Sequence, residues 1–281
     1  MPAAALSSPF RAAARPCSRA PHKPMTPGPD FDVIAHYYDL LYAERDDDLP
    51  MWLHLTEAAG GDILEIGCGT GRVMLPLLQQ GRRVTGVDLS AAALDIARAK
   101  INGAGFARRA TLYQADMRAL NLPQHDFAFA FIPINTFMHC LTLPEQQSTL
   151  AGIRNHLKPG GALVVDLYHP QPQALFEADG RMVMANQLLD DRTGHTVQWF
   201  VVRHLQPEQQ IQDVTFILDD IDPAGAVHRR TVSFPMRYLH RFEMELLLQS
   251  ARFQLQTIWG DYDQSAFDAG SPRMIFMARK V

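Results

Sequence analysis

Three observations on the sequence predict an α/β fold carrying an antiparallel β insertion. Strand-compatible residues at Ile63-Leu64-Glu65-Ile66 run into glycines at alternate positions, Gly67, Gly69 and Gly71, and a helical pattern follows. Short apolar runs and helical stretches then alternate as far as Leu167. From Arg181 to Pro235 the helical pattern gives way to four strand-like segments joined by short turns. Alternation of the first kind builds a parallel sheet with right-handed crossovers, whereas short connections between successive strands build an antiparallel meander.

Composition narrows the functional class. The 281 residues are 47% hydrophobic and 20% charged, as in ordinary soluble globular proteins. A formal net charge of −4 without a basic run argues against nucleic acid as a partner and favours a small molecule. Cys17, Cys68 and Cys140 lie far apart with no CxxC spacing, so neither a disulfide framework nor a metal site is indicated, and a reducing, cytoplasmic setting is expected. No apolar run approaches the roughly 20 residues that span a bilayer. A homodimer stays open.

Residues 1–30 are rich in Ala, Pro and Ser, with no acid before Asp30, and are expected to form a disordered extension. From Phe31 to Tyr42 apolar residues recur at helical spacing, with Phe31, Ile34, Tyr38 and Leu41 on one side. Asp46-Asp47-Asp48-Leu49-Pro50 reads as a helix start, and that helix runs to about Ala59. Asp62–Ile66 is the first strand, and helix Arg72–Gln80 is closed by Gly81. Arg83–Val87 is the second strand, followed by a helix capped by Ser90 and stopped at Asn102-Gly103. Thr111–Gln114 and Asp126–Ile132 are strands three and four. Pro144–Leu157 is a helix, Lys158-Pro159-Gly160-Gly161 a turn, and Ala162–Leu167 strand five. The meander is read as Arg181–Leu189, Thr196–Leu205, Ile211–Ile221 and Ala226–Pro235. A helix, Arg241–Ser250, and strands Gln254–Trp259 and Met274–Ala278 complete the chain. An insertion of roughly 60 residues is too long for a simple connection and is expected to stand over the ligand edge of the main sheet.

Glycine accepts positive φ and brings no Cβ, so the turn after strand one lets a ligand approach backbone N–H groups at a helix start. A dinucleotide is disfavoured, because Arg72 occupies the last position of the G-x-G-x-x-G fingerprint. Asp88 ends strand two, where ligands bind in open α/β sheets; with the glycine turn upstream it suits the two hydroxyls of a ribose, an ordinary helix-capping acid being the alternative. Asp116-Met117 follows strand three, and Ile132 through His139 follows strand four. Asn135 and His139 share a face if that segment is helical, and His139 reads either as a base or as a satisfied core histidine. The tyrosines Tyr37, Tyr38 and Tyr42 either pack or cover a ligand.

The string Leu64-Glu65-Ile66-Gly67-Cys68-Gly69-Thr70-Gly71, with Gly86–Ser90, Asp116 and Leu157–Gly161, resembles the class I S-adenosylmethionine-dependent methyltransferases. Members with an inserted antiparallel sheet, such as the glycine and amino-sugar N-methyltransferases, look most similar. The resemblance implies a Rossmann-like seven-stranded sheet of order 3-2-1-4-5-7-6, with 31–169 and 237–281 as the methyltransferase domain and 170–236 as a β lid. It implies S-adenosyl-L-methionine as cofactor, held by Tyr38, Glu65, Gly67, Cys68, Gly69, Gly71, Asp88, Leu89, Asp116, Met117 and Ile132. Tyr38-Asp39-Leu40-Leu41-Tyr42 matches the segment that caps the cofactor's methionine end, and Asp116 matches the acid that accepts from the adenine amino group. The reaction implied is transfer of a methyl group to N or O of a small-molecule acceptor. His139, Tyr168, His169 and His240 are candidates for a base, with His139 and Tyr168 foremost. Tyr42, Asn135, His169, Trp199, Tyr238 and Arg241 are candidate acceptor contacts, Arg241 either for a carboxylate or in a structural ion pair. One departure from the family is Ala251-Arg252-Phe253, where many members have Ala-Gly-Phe.

Overall fold

The computed structural model describes residues 29–43 and 45–281, so the expected extension lies outside the described residues except for its last two positions. Helices α1 (Pro29–Leu41) and α2 (Leu49–Ala59) precede the main sheet. There follow β1 (Ile63–Ile66), α3 (Met74–Gln79), β2 (Val84–Asp88), α4 (Ala91–Gly103), β3 (Ala110–Gln114), β4 (Phe127–Ile132), α5 (Leu143–His156) and β5 (Leu157–Tyr168). After a short helix α6 (Pro172–Ala178) comes the insertion, β6 (Met182–Asp190), β7 (His195–Gln206), β8 (Ile211–Ile221) and β9 (Val227–Arg237). Helix α7 (Arg241–Ser250) and strands β10 (Phe253–Trp259) and β11 (Arg273–Lys280) close the chain.

The seven-stranded sheet runs β3-β2-β1-β4-β5-β11-β10, which in strand sequence is the expected 3-2-1-4-5-7-6. Strands β1 to β5 pair in parallel; β11 lies antiparallel to β5 and to β10. Every residue of β1 and β4 is buried, because side chains alternate between two covered faces. Phe129 and Phe131 pack with Trp52, Met74 and Leu77 on one face. Leu64, Ile66, Ala130 and Ile132 pack with Leu150, Ile153 and Met244 on the other.

Strands β6-β7-β8-β9 form a separate antiparallel sheet in sequence order. Its inner face presents Trp199, Val201, Val214, Phe216 and Phe234, which pack against Phe31, Val33 and Tyr38 of α1. Leu41 fills the space beside Val197 and Leu218. The other side of α1 is tied to the main domain by Asp39, which accepts from Thr70 Oγ1 (2.5 Å) and from Lys100 Nζ (2.9 Å). Helix α1 is therefore the layer between the two sheets.

Several boundaries differ from expectation. Helix α3 begins at Met74 rather than Arg72, because Gly69 and Gly71 take positive φ and the chain is still turning. Strand β5 begins at Leu157; Lys158–Gly161 is a bulge inside it, for Phe127 pairs with Leu157 and Phe129 already pairs with Ala162. Helix α6 carries no amphipathic signature, since Leu175 is its only buried residue, and sequence patterning missed it. Arg252 takes φ +58°, so the tight turn that suits glycine is kept by a residue that must adopt the left-handed conformation.

Asp166 of β5 is fully buried, and Arg273 of β11 lies beside it, Nε donating to Oδ1 (2.6 Å). Tyr262 donates its hydroxyl to Asp166 Oδ2 (2.9 Å), and the Ile134 N–H donates to the same oxygen (3.0 Å). Arg273→Met would leave this carboxylate buried without its cation, and a loss of about 3–5 kcal/mol in unfolding free energy is expected by urea denaturation. Arg252→Gly relieves the left-handed strain, and the same measurement should show a gain of about 1 kcal/mol.

Candidate active site

The chain leaves β1 through Gly67 and Cys68, whose N–H groups both donate to the Val87 carbonyl (2.7 and 3.0 Å), so the turn is stapled to the end of β2. Gly67 has φ +74°, and a Cβ there would meet Thr136 Cγ2 at 2.4 Å. At Gly69 (φ +52°) a Cβ would meet nothing within 4 Å: the backbone here borders open space. That space is a cavity of about 890 Å³ at the carboxyl ends of β1, β2 and β4, roofed by the inserted sheet.

Asp88 lines the cavity and accepts from the Gly69 N–H through Oδ2 (2.8 Å) and from the Ser90 N–H through Oδ1 (2.8 Å). Ser90 Oγ, not Asp88, caps α4, accepting from the Ala93 N–H (3.0 Å). Asp88 is thus free of capping duty, and each of its oxygens has a lone pair left for a ligand hydroxyl. Burial raises its pKa above the ordinary carboxylate range, against the pull of the Ser90, Gly69 and Leu89 N–H groups. Glu65 is 1% exposed, and its Oε2 has no partner among the described residues. Desolvation pushes its pKa well up, so the site asks for a donor or a cation beside it.

Cys68, Leu89, Asp116 and Met117 also line this end. Both Asp116 oxygens are engaged by Arg118, whose Nε donates at 2.9 Å and Nη2 at 2.6 Å, and this pairing lowers the Asp116 pKa. Ile132 and Gly71 do not reach the wall. Ile132 is fully buried in the core, and Gly71 faces Ala97 of α4 at 3.4 Å.

The opposite end is aromatic. The rings of Tyr38 and Tyr42 lie 4.5 Å apart, and Trp199 meets Tyr42 edge-on at 5.7 Å. His139 sits between Phe31 (5.2 Å) and Phe234 (5.5 Å), partly buried on the cavity wall, and desolvation pulls its pKa down to about 4. Burial likewise raises the Tyr168 phenol, whose oxygen has no hydrogen-bond partner among the described residues. Asn135 lines the cavity too, but its Oδ1 accepts from the Tyr168 N–H (2.6 Å) and so braces the backbone. The segment Thr136–His139 is a 3-10 turn entered through Asn135 at φ +62°, so Asn135 and His139 meet the cavity without an α-helical face.

Three candidate contacts stand outside the cavity, and so does the candidate base His240. His169 Nδ1 lies 2.9 Å from the Ser271 carbonyl oxygen, and its ring packs on Phe267. Tyr238 is part of the apolar core, and His240 begins α7 in a capping box with Glu243. Arg241 donates to Glu245 Oε1 (2.7 Å), the structural alternative read from the sequence. Residues that sequence reasoning missed include Arg45, Arg72 and Arg203, all on the cavity wall. Arg72 forms two hydrogen bonds to buried Asp48 (2.6 and 2.7 Å), a pairing across 24 positions that leaves no local pattern. Arg203 did leave one, being four positions after Trp199 on a strand and therefore on the same face. Among the described residues no helix is long and apolar enough to cross a membrane.

Residues 63–161, which contain the glycine turn, Asp88 and Asp116, match the methyltransferase domain family. An uncharacterized methyltransferase of Synechocystis sp. is 32% identical over 183 residues, 60% of this chain and 81% of that protein. Among solved structures, the CcbJ methyltransferase from Streptomyces caelestis is 26% identical with a TM-score of 0.77, covering 88% of this chain and 96% of that one. The S-adenosylmethionine-bound CalS10, an amino pentose methyltransferase from Micromonospora echinaspora, shares the fold at 21% identity and a TM-score of 0.66, covering 87% of this chain and 96% of its own. Strand order, the stapled glycine turn and these likenesses agree, and the chain belongs to the S-adenosylmethionine-dependent methyltransferases.

Proposed function

We propose that this enzyme methylates a nitrogen of a small-molecule acceptor held beneath the inserted sheet. The observation that carries this reading is the roof. Residues of β7, β8 and β9 close the cavity with Trp199, Val201, Val214, Phe216 and Phe234, leaving a volume of about 890 Å³ that suits a small ligand and not a polymer strand. Residues 170–236 then serve as a lid on a methyltransferase domain made of 31–169 and 237–281. The amino pentose substrate in the description of CalS10 supports an acceptor of this size.

The residues present fit the cofactor. Asp88 would hold the ribose hydroxyls with its remaining lone pairs, and the orphan Glu65 Oε2 would accept from the methionine ammonium. The open backbone at Gly69 would admit the chain between them. Leu89 and Met117 would flank the adenine, with Asp116 at its amino group through the lone pairs that Arg118 leaves. Tyr38 would cover the methionine end. When bound, the cofactor supplies an electrophilic methyl group on a sulfonium.

The protein's own contribution is alignment and exclusion of water. Nitrogen is favoured over oxygen because neither polar ring near the acceptor end takes a proton at neutral pH: burial depresses His139, and Tyr168 stays a protonated phenol. An amine that arrives unprotonated needs no base, whereas a hydroxyl does. His139 then acts as a neutral wall residue, and Tyr168 as a hydrogen-bond donor.

Calorimetric titration with S-adenosylmethionine should show saturable binding, and Asp88→Ala should weaken it by about 1.5–3 kcal/mol, roughly 10- to 150-fold; equal affinities would remove Asp88 from the ribose site. A methyl-transfer screen over primary and secondary amines, phenols and carboxylates should give turnover with amines. For His139 the folded pKa, about 4, lies below the unfolded value of 6.5. The unfolded chain therefore binds the proton first, and stability is unaffected above pH 6.5 but falls as the pH drops toward 4. The full loss is on the order of 3 kcal/mol. His139→Phe should flatten that part of the stability-versus-pH curve in urea unfolding at pH 7.5, 6 and 5.

A further inference from the structure

Four arginines line the cavity, and three have anionic or hydroxyl partners. Arg72 is bonded to Asp48, and Arg118 to Asp116 and Glu145. Arg45 lies 3.7 Å from Asp47 and donates to the Tyr262 hydroxyl. Arg203 alone has neither an ion pair nor a side-chain hydrogen bond among the described residues.

Its position makes that omission costly. Arg203 follows Trp199 and Val201 on the same face of β7, and its partner across the ladder is Val214, also on the cavity wall. A guanidinium set among apolar side chains and partly withdrawn from water is disfavoured until an anion meets it, and burial accordingly lowers its pKa. Other residues lining the cavity also carry buried polar atoms without a hydrogen-bond partner among the described residues, among them the Tyr168 hydroxyl, the Trp199 Nε1 and the His139 Nδ1. The guanidinium lies close enough to Tyr168 for the two to interact electrostatically. Arg203 and Trp199 can only donate, and the protonated Tyr168 can donate as well. Three donors without a partner among the described residues, on a wall that otherwise presents Val201, Val214 and the amides of Asn186 and Gln212, are complementary to an oxyanion.

We propose that the methyl acceptor is an anionic small molecule, and that Arg203, with the Tyr168 hydroxyl and the Trp199 indole N–H, binds its carboxylate or phosphate group. This rests on the reading of the cavity as the acceptor site. Anchoring the anionic group on the roof turns the other end of the acceptor toward the main sheet, where Glu65 and Asp88 border the cofactor pocket. Arg203 is in this sense a specificity-determining residue that takes no part in the bond exchange.

The test compares the full-length protein with Arg203→Met in three measurements at constant ionic strength. Titration with S-adenosylmethionine should give affinities within about twofold of each other. Titration of each protein, saturated with S-adenosylhomocysteine, with sodium acetate and separately with inorganic phosphate should show binding to the unaltered chain. At least a tenfold loss is expected in the variant, the tighter of the two anions identifying the group. Without ligand, Arg203→Met should melt at the same temperature or higher, since an unpaired charge has been removed, whereas an arginine with a structural role would lower it. Acetate and phosphate responses that are equal in the two proteins, or absent from both, overturn the proposal. A tenfold loss of S-adenosylmethionine affinity in the variant also overturns it, by assigning Arg203 to the cofactor's own carboxylate. Failure of the unaltered chain to bind S-adenosylmethionine is a separate result and counts against the cofactor site instead.

Discussion

The buried carboxylate of Asp166 holds together the parts of this molecule that make a site possible. It binds Arg273 across the β5–β11 pair, accepts from the Tyr262 hydroxyl and fixes the Ile134 N–H. Ile134 and Asn135 both take positive φ, at +44° and +62°, a conformation that a β-branched residue adopts only when its surroundings impose it. The Asn135 amide then reaches back to the Tyr168 N–H. One charge in the sheet thereby sets the path of the loop after β4 and the end of β5, which carry His139 and Tyr168 to the cavity. Removing charge from such a network costs far more than an exposed ion pair would, because nothing in the core replaces the lost partner.

A second dependence runs through α1. The helix lies between the sheets, with Phe31, Val33 and Tyr38 under the insertion and Asp39 tied to Thr70 and Lys100 of the main domain. The tyrosines of α1 and of the turn after it therefore do both things open to them on the sequence: Tyr38 and Tyr42 pack against the roof, and the same rings border the cavity. The floor uses backbone N–H groups and the carboxylates of Glu65, Asp88 and Asp116, while the roof uses aromatic faces and an arginine without an ion pair among the described residues. A ligand spanning both would meet polar recognition below and shape with charge selection above. The glycine turn, Asp88 and Asp116 of the floor lie within the residues 63–161 that match the methyltransferase domain family, and the roof lies outside them.

Much of the floor was legible because it is local. Gly67, Gly69, Asp88, Asp116 and Met117 each follow a strand end directly, and a strand-to-turn step is set by neighbouring residues. The meander was legible for the same reason, since its turns are short and its strands alternate. What escaped was either non-local or unpatterned. Helix α6 buries one residue and has no periodic face, and the Arg72–Asp48 and Asp166–Arg273 pairs join positions 24 and 107 apart. His169 was nominated from the end of strand five, and Tyr238 and Arg241 from the exit of the lid, but their side chains turn to Ser271, the core and Glu245. Proximity along a strand end does not determine which of two faces a side chain takes.

By itself, then, the sequence determined the order of elements, the glycine turn and the acids that flank it, because these follow from backbone freedom, alternation and the reach of a residue's immediate neighbours. Tertiary structure alone decided that Arg241 pairs with Glu245 instead of meeting the cavity, that Arg72 is held by Asp48, and that burial pulls the His139 pKa down. The last two depend on burial and on partners contributed by distant segments. A residue's charge state and exposure are properties of its surroundings, and the surroundings exist only once the chain has packed.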